Sequence, residues 1–324
     1  MRKTLGPVIA LLTSVAILLT GHGLQTTLLP MRASLEDFPT LAIGTMGAFY
    51  FFGFTIGCLK GGELIKRVGH IRVFLAMAAL ASASPLLHGL IVHPILWAML
   101  RMLSGFCFAA LYVVIESWLN EQSTNENRGT VFATYVMITL TVMAVGQMMN
   151  LLYDPRGLEL FLIASVLVSI AAVPVALSRA PVPALPESAS IDLRRLYRIS
   201  PFGSIACFGS GLTTGSFWAL APVFTAAVTD DVALAAWFMS AAVIGGAVTQ
   251  WPLGALSDRV GRRAVLGLMC LAGTIISAVV VFGAGQWTFV AIAISGAAWG
   301  AVGFPLYSIA VAHTNDFADS TEYV

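Results

Sequence analysis

One basic residue sits where an apolar chain should have none. Arg101 lies inside the run Pro94 to Ile115, which holds no other Lys, Arg, Asp or Glu. An ionised group at that depth costs several kcal/mol unless it faces protein or water. Arg101 is seven residues into the run, about 10 Å along a helix axis. His22 lies eight residues from the end of the first apolar run, at a depth of about 12 Å. Gln25 follows within a turn. A guanidinium binds an oxyanion through paired N–H groups, and an imidazole changes charge near neutral pH. His22, Gln25 and Arg101 are therefore candidates for recognition of an anionic group or for proton-linked gating. The competing role is structural, with Arg101 snorkelling to a surface or tying off backbone carbonyls.

Other polar and aromatic residues recur within apolar runs. Ser210, Thr213 and Thr214 precede Phe217 and Trp218, while Gln147 and Asn150 share one run and Trp299 and Tyr307 another. Thr213, Thr214, Trp299 and Tyr307 join the candidate pathway, although small polar residues also serve helix packing. None of the sixteen acidic residues lies in the middle of a run, so His22 or Glu116 is the candidate proton carrier. His88, His93 and His313 are too scattered for a metal site. Cys58, Cys107, Cys207 and Cys270 each stand alone in apolar sequence and read as small buried hydrophobes. No nucleotide loop, Ser/His/Asp set or zinc helix is present. The expectation is no enzyme, no cofactor and no bound metal.

The elements that must position these residues follow from composition. Of 324 residues, 58% are hydrophobic and only 10% charged, with a mean hydropathy of +0.88. Too few charges remain to cover a water-facing surface. This excludes an ordinary soluble enzyme, a nucleic-acid binder and a disordered chain. Ten apolar runs are long enough to cross a bilayer: 5–29, 40–59, 73–92, 94–115, 129–153, 160–178, 201–228, 232–257, 264–281 and 287 onward. The last two come from one stretch, Ala264 to Asn315, divided at Gly283-Ala284-Gly285-Gln286. The first run reads as a span and signal anchor. Placing the N-terminus in the cytoplasm puts 14 of the 17 basic residues on the inner side and two, Arg32 and Arg156, outside. That bias is the positive-inside signature. Residues 179–200, with Pro181, Pro183 and Pro186 and then a basic cluster, read as a cytoplasmic linker. It divides a six-span block, 1–178, from a second block of four, 201–324.

The blocks repeat each other. Gly62-Glu63-Leu64-Ile65-Lys66-Arg67-Val68-Gly69 matches Gly254-Ala255-Leu256-Ser257-Asp258-Arg259-Val260-Gly261 at an offset of 192, followed by Arg262 and Arg263. Gly23 and Pro30 fall on Gly215 and Pro222 at the same offset. His22, Gln25 and Arg101 would then face Thr214, Phe217 and Ala293, leaving the charge on one block. Repeated six-helix halves are a mark of transporter architecture.

The second of these loops matches in full the G-x-x-x-D-R-x-G-R-R pattern of the major facilitator superfamily (MFS). The first loop resembles its partial counterpart, with Lys66 where the pattern has Asp. Arg101-x-x-x-Gly105 is similar to the family's second motif. Glu116-Ser117-Trp118-Leu119, Asn127-Arg128-Gly129, Gln250-Trp251-Pro252 and Gly303-Phe304-Pro305-Leu306-Tyr307 resemble the poorly characterised bacterial YcaD-like branch. The resemblance implies an all-α, polytopic membrane protein with a six-plus-six helix bundle, seen here with about ten transmembrane helices and lacking the last two of twelve. It implies a secondary active transporter of a small molecule, working by alternating access in the bacterial inner (plasma) membrane as a monomer, with protons as a candidate coupling ion. Spans 1, 4, 7 and 10 would line its cavity. It assigns a gating latch to Asp258 and Arg259, and by extension to Gly62, Arg67, Gly69, Gly254, Gly261, Arg262 and Arg263. Glu116 would replace the missing acid of the first loop by reaching Arg67, Arg72 or Arg128. The G-P-x-x-G-G pattern of drug/proton antiporters is absent from span 5. A truncated or non-transporting membrane protein, such as a receptor or scaffold, is the alternative.

Overall fold

Lipid offers backbone N–H and C=O groups no partner, so each apolar run must satisfy its own. The computed structural model describes residues 2–123, 128–177, 193–229 and 231–317. All regular structure among them is helical, and ten segments are long and apolar enough to cross a bilayer. The chain forms two compact units, Met1–Ser188 and Ala189–Val324.

The first unit contains α1 (Arg2–Leu35), α2 (Thr40–Val68), α3 (His70–Leu90), α4 (Pro94–Gln122), α5 (Arg128–Met148), α6 (Glu159–Ile170) and α7 (Ala172–Ala176). The last two make one span, broken at Ala171. Pro174 has no N–H for the carbonyl of Ile170, which explains the break. Several helices outrun the apolar stretches. The sequence from Gly62 to Val68, expected as a loop, is the end of α2, and Gly254 to Val260 likewise ends a helix of the second unit. Charges at helical spacing extend α2, where Glu63 pairs with Lys60 and with Arg67.

Close helix contact in this unit depends on missing side chains. A Cβ on Gly53 of α2 would collide with the Met102 carbonyl of α4, and one on Gly105 of α4 with the Tyr50 carbonyl of α2. Between helices in lipid, such small-residue seams let dispersion replace the hydrophobic drive. α1 and α5 meet in the same way, with Gly23 against Met143 and Gly146 against Thr20 and Leu24. α6 lies on α1 where Gly21 meets Ala164, Leu167 and Val168.

The second unit contains α8 (Leu193–Ile199), α9 (Pro201–Val228), α10 (Val232–Val260), α11 (Arg262–Gly283), α12 (Phe289–Gly303) and α13 (Pro305–Asn315). The expected linker is thus partly helical, and Ser200 caps α9 by accepting from the Gly203 N–H at 3.2 Å. Residues 178–192 lie outside the described residues. α12 and α13 form one span, broken before Pro305, which has no N–H for the Ala301 carbonyl. The Thr249 hydroxyl of α10 stands 2.6 Å from that oxygen and supplies a donor.

Packing corrects the repeat. Gly245 lies against Ala297 and Gly300 against Ala242, as Gly53 and Gly105 lie against Met102 and Tyr50. The offset is 192 between α2 and α10 but 195 between α4 and α12. Extra residues enter after α11, where 284–288 replace the shorter turn 91–93. The counterpart of Arg101 is therefore Gly296, not Ala293. Thr249, the counterpart of Gly57, donates toward Ala301, the counterpart of Phe106 against which Gly57 packs.

One face differs between the units. Phe202, Ile205, Gly209 and Thr213 of α9 and Cys270 of α11 border an open groove of about 380 Å³. Thr213 is the counterpart of Gly21, which α6 covers in the first unit.

Gly105→Ala and Gly300→Ala are each expected to lower stability by about 1–3 kcal/mol through overpacking. Gly254→Ala, whose added Cβ would meet nothing within 4 Å, is expected to leave it unchanged or raise it by about 0.5 kcal/mol. Thermal unfolding of the purified variants in one detergent checks the contrast.

Candidate functional site

The R-x-x-x-G spacing in α4 has a physical reading. Residues four apart share a helix face. Gly105 lets the α2 backbone settle at Tyr50, and Arg101, one turn away, then lies under the Tyr50 ring with its guanidinium carbon 4.2 Å from the centroid. The Tyr50 hydroxyl and His22 Nε2 are 3.3 Å apart. The His22 ring packs on Phe108, with centroids 4.0 Å apart. One interior cluster thus joins α1, α2 and α4. His22 is farther from the helix end than the apolar run indicated, because α1 continues to Leu35.

Gln147 at the end of α5 and Asn150 in the 3-10 turn that follows bring amides against α1. The Asn150 amide donates to the Gln147 carbonyl at 2.9 Å and toward the Leu24 carbonyl at 3.4 Å. Gln25, Gln147 and Asn150 are each 1% exposed or less. His22 Nδ1, Gln25 Nε2, both amide atoms of Gln147, Asn150 Oδ1 and one terminal nitrogen of Arg101 are buried without a hydrogen-bond partner. Buried polar groups normally have partners, and each exception needs a reason.

The second unit places aromatics where the first has neutral polar side chains. Phe217, the counterpart of Gln25, stacks on Trp299 with centroids 4.1 Å apart and planes 9° from parallel. Phe238 and Phe304 complete the cluster, and Trp218 stacks on Phe304. Thr214 is half-buried, while Thr213 and Tyr307 are exposed. Thr213 lies in the α9–α11 groove.

The two repeated motifs end in the same turn. Gly69 and Gly261 follow α2 and α10 with φ of 86° and 104°. Each leads directly into the next helix, a path that L side chains resist. Asp258 pairs with Arg262 at 3.2 Å, and Arg262 also pairs with Asp316 beyond α13. Arg263 Nε donates to His313 Nε2 at 3.3 Å and lies over the rings of Phe202 and Phe317. In the first motif Arg67 pairs with Glu63, not with Glu116. Glu116 accepts from the Tyr135 hydroxyl at 3.4 Å. The Arg128 side chain lies outside the described residues. His70, the counterpart of Arg262, stands 3.0 Å from the Ser117 hydroxyl near the end of α4.

Tyr50, Phe108, Glu63 and Asp316 were not legible as site residues. Tyr50 is one of seven tyrosines, and only the α2–α4 seam singles it out. Asp316 follows the last apolar run, and the 195 offset pairs it with Glu121.

This architecture defines a multi-pass helical membrane protein built from a repeated half. The sequence matches the family model of the Major Facilitator Superfamily over residues 11–320. The chain belongs to that superfamily, whose members are transporters, not enzymes. It is 29% identical over 309 residues to the uncharacterized MFS-type transporter YcaD of Escherichia fergusonii, covering 94% of this chain and 79% of that protein. An uncharacterized MFS-type transporter of Yersinia pestis is 28% identical over 323 residues, covering 98% and 82%. Among solved structures, a mutant of the nucleoside transporter NupG superposes with a TM-score of 0.83 at 13% identity, covering 97% of this chain and 84% of NupG. A bacterial homolog of the human lysosomal transporter Spinster, inward-facing and unoccupied, gives 0.75 at 11% identity, covering 94% and 74%. At these identities the two likenesses establish the fold.

Gly261→Ala is expected to cost about 1–3 kcal/mol from backbone strain alone, because its Cβ would meet no atom within 4 Å. A thermal melt beside wild type and Gly254→Ala measures it.

Proposed function

We propose that the chain is a secondary active transporter of a small molecule in the bacterial inner membrane. In this reading the N-terminus is cytoplasmic, as the placement of basic residues favours. It works by alternating access, in which one substrate site opens first to one side of the membrane and then to the other. The observation that carries this reading is the buried cluster around Arg101. An apolar chain gains no stability from unpartnered amides and a cation, so a ligand is their natural partner. His22, Gln25 and Arg101 act as substrate contacts, with Tyr50 positioning the guanidinium. Within the second unit, Trp299, Phe217 and Thr214 are the candidate pathway residues. Thr213 and Tyr307 are exposed, and they have a lesser part.

The Asp258–Arg262–Asp316 network is the candidate latch, with Arg262 in the role first given to Arg259. Asp258 and Asp316 are largely exposed, and exposed pairs contribute about 0–1 kcal/mol each. Such contacts can break and reform during a cycle. His22 is the candidate proton carrier, held against Tyr50 and within range of the Arg101 charge.

Arg101→Ala is expected to abolish substrate flux into proteoliposomes while keeping expression and a single symmetric chromatographic peak. Wild-type flux in that variant would remove Arg101 from the pathway. Collapse of the pH gradient is expected to slow concentrative uptake by the wild type; unchanged uptake would remove proton coupling.

A further inference from the structure

The partners that Arg101 lacks indicate what it binds. Arg32, the other partly buried arginine among the described residues of the same unit, pairs with Glu36 at 2.7 Å and donates to the Pro155 carbonyl at 2.9 Å. Among the described residues no carboxylate pairs with Arg101, and one terminal nitrogen is buried without any acceptor. Its face is occupied by the Tyr50 ring. The edge of the guanidinium remains, and that edge matches a carboxylate in two parallel hydrogen bonds. The interior supplies one full positive charge. Arg101 is the single Lys or Arg deep within a span, so a monoanion neutralises it and a dianion would leave excess charge in a poorly solvated place.

The amides narrow the choice further. Gln25 offers a free donor, Asn150 a free acceptor, and Gln147 both. They lie where α1 and α5 touch, since Asn150 reaches the Leu24 carbonyl and Gly146 packs on Thr20 and Leu24. A purely hydrocarbon acid would leave all four atoms unpaired. A ligand that adds a hydroxyl or amide group would pair them.

We infer that the buried polar cluster of the first unit takes a small organic monoanion, its carboxylate on the edge of Arg101 and a neutral hydrogen-bonding substituent on Gln25, Gln147 and Asn150. This deepens the transport reading and rests on it only for the ligand being cargo.

The test uses the full chain in detergent at pH 8.5, where inorganic phosphate is a dianion, and matched probes: lactate with lactamide, benzoate with benzamide, and inorganic phosphate. Lactate is expected to raise the unfolding temperature with a saturating dose response. Benzoate should do so less, and lactamide, benzamide and phosphate little. Arg101→Gln should lose the carboxylate response, and Gln147→Leu should lose the advantage of lactate over benzoate. In the wild type, phenylglyoxal labelling of Arg101, read by peptide mass, should be slowed by lactate and not by lactamide. That measurement stands even where a variant fails to fold. Equal responses to acid and amide, preference for phosphate, no response to any carboxylate, or an unchanged Arg101→Gln response would each overturn the inference. Carboxylate binding without flux in proteoliposomes would sink the transport reading alone. Flux that ignores the charge of its cargo would sink this inference alone.

Discussion

The close approach of α2 and α4 sets the terms for the first unit. Two helices in lipid gain little from excluding water, so they gain from contact, and contact requires small residues at the crossing. Gly53 and Gly105 meet the opposing backbones directly. That seam fixes the height of Tyr50 against α4, and Arg101 then finds an aromatic face one turn from Gly105. Without the seam, the arginine would have no ring to lie under and no reason to stay in the interior. The spacing of Arg101 and Gly105 is thus one device, which brings a helix close and holds a cation in its lee.

The second unit keeps the device and removes the charge. Gly300 meets Ala242 as Gly105 meets Tyr50, and Gly296 stands where Arg101 would be. Aromatic stacking centred on Phe217 and Trp299 fills the space instead. Divergence at one seam thus leaves a polar interior in one half and an apolar one in the other. Pro305 adds a second asymmetry. It frees the Ala301 carbonyl, and Thr249 answers from a position that is glycine in the first unit. A hydroxyl there both tolerates the close crossing and satisfies the broken helix.

The repeated turns show the same economy. Gly69 and Gly261 reverse the chain in one residue each. The helix that follows begins with His70 in one unit and Arg262 in the other, and each reaches the end of a neighbouring span. Asp258 and Asp316 share Arg262, whereas Glu63 holds Lys60 and Arg67 on its own helix. The ion pairs of Glu63 therefore stay within α2. The second turn is tied across helices, where a small displacement of α11 or α13 would change the pairing.

Much of this was present in the amino acids. Ten apolar runs, the bias of basic residues and the matching glycine-rich turns determine a duplicated membrane bundle, because bilayer thickness and backbone hydrogen bonding leave helices as the solution for runs of this length. Arg101 announced itself as the one charge that lipid would not accept. What surrounds it was not legible. Tyr50 and Phe108 have no property in sequence that distinguishes them from residues facing lipid, since both environments are apolar and composition cannot tell them apart. The counterpart of Arg101, the partner of Glu116 and the pairing of Asp258 with Arg262 all depended on helix register and rotation. Those are decided by how side chains fit between neighbouring helices, and only the folded chain performs that fit.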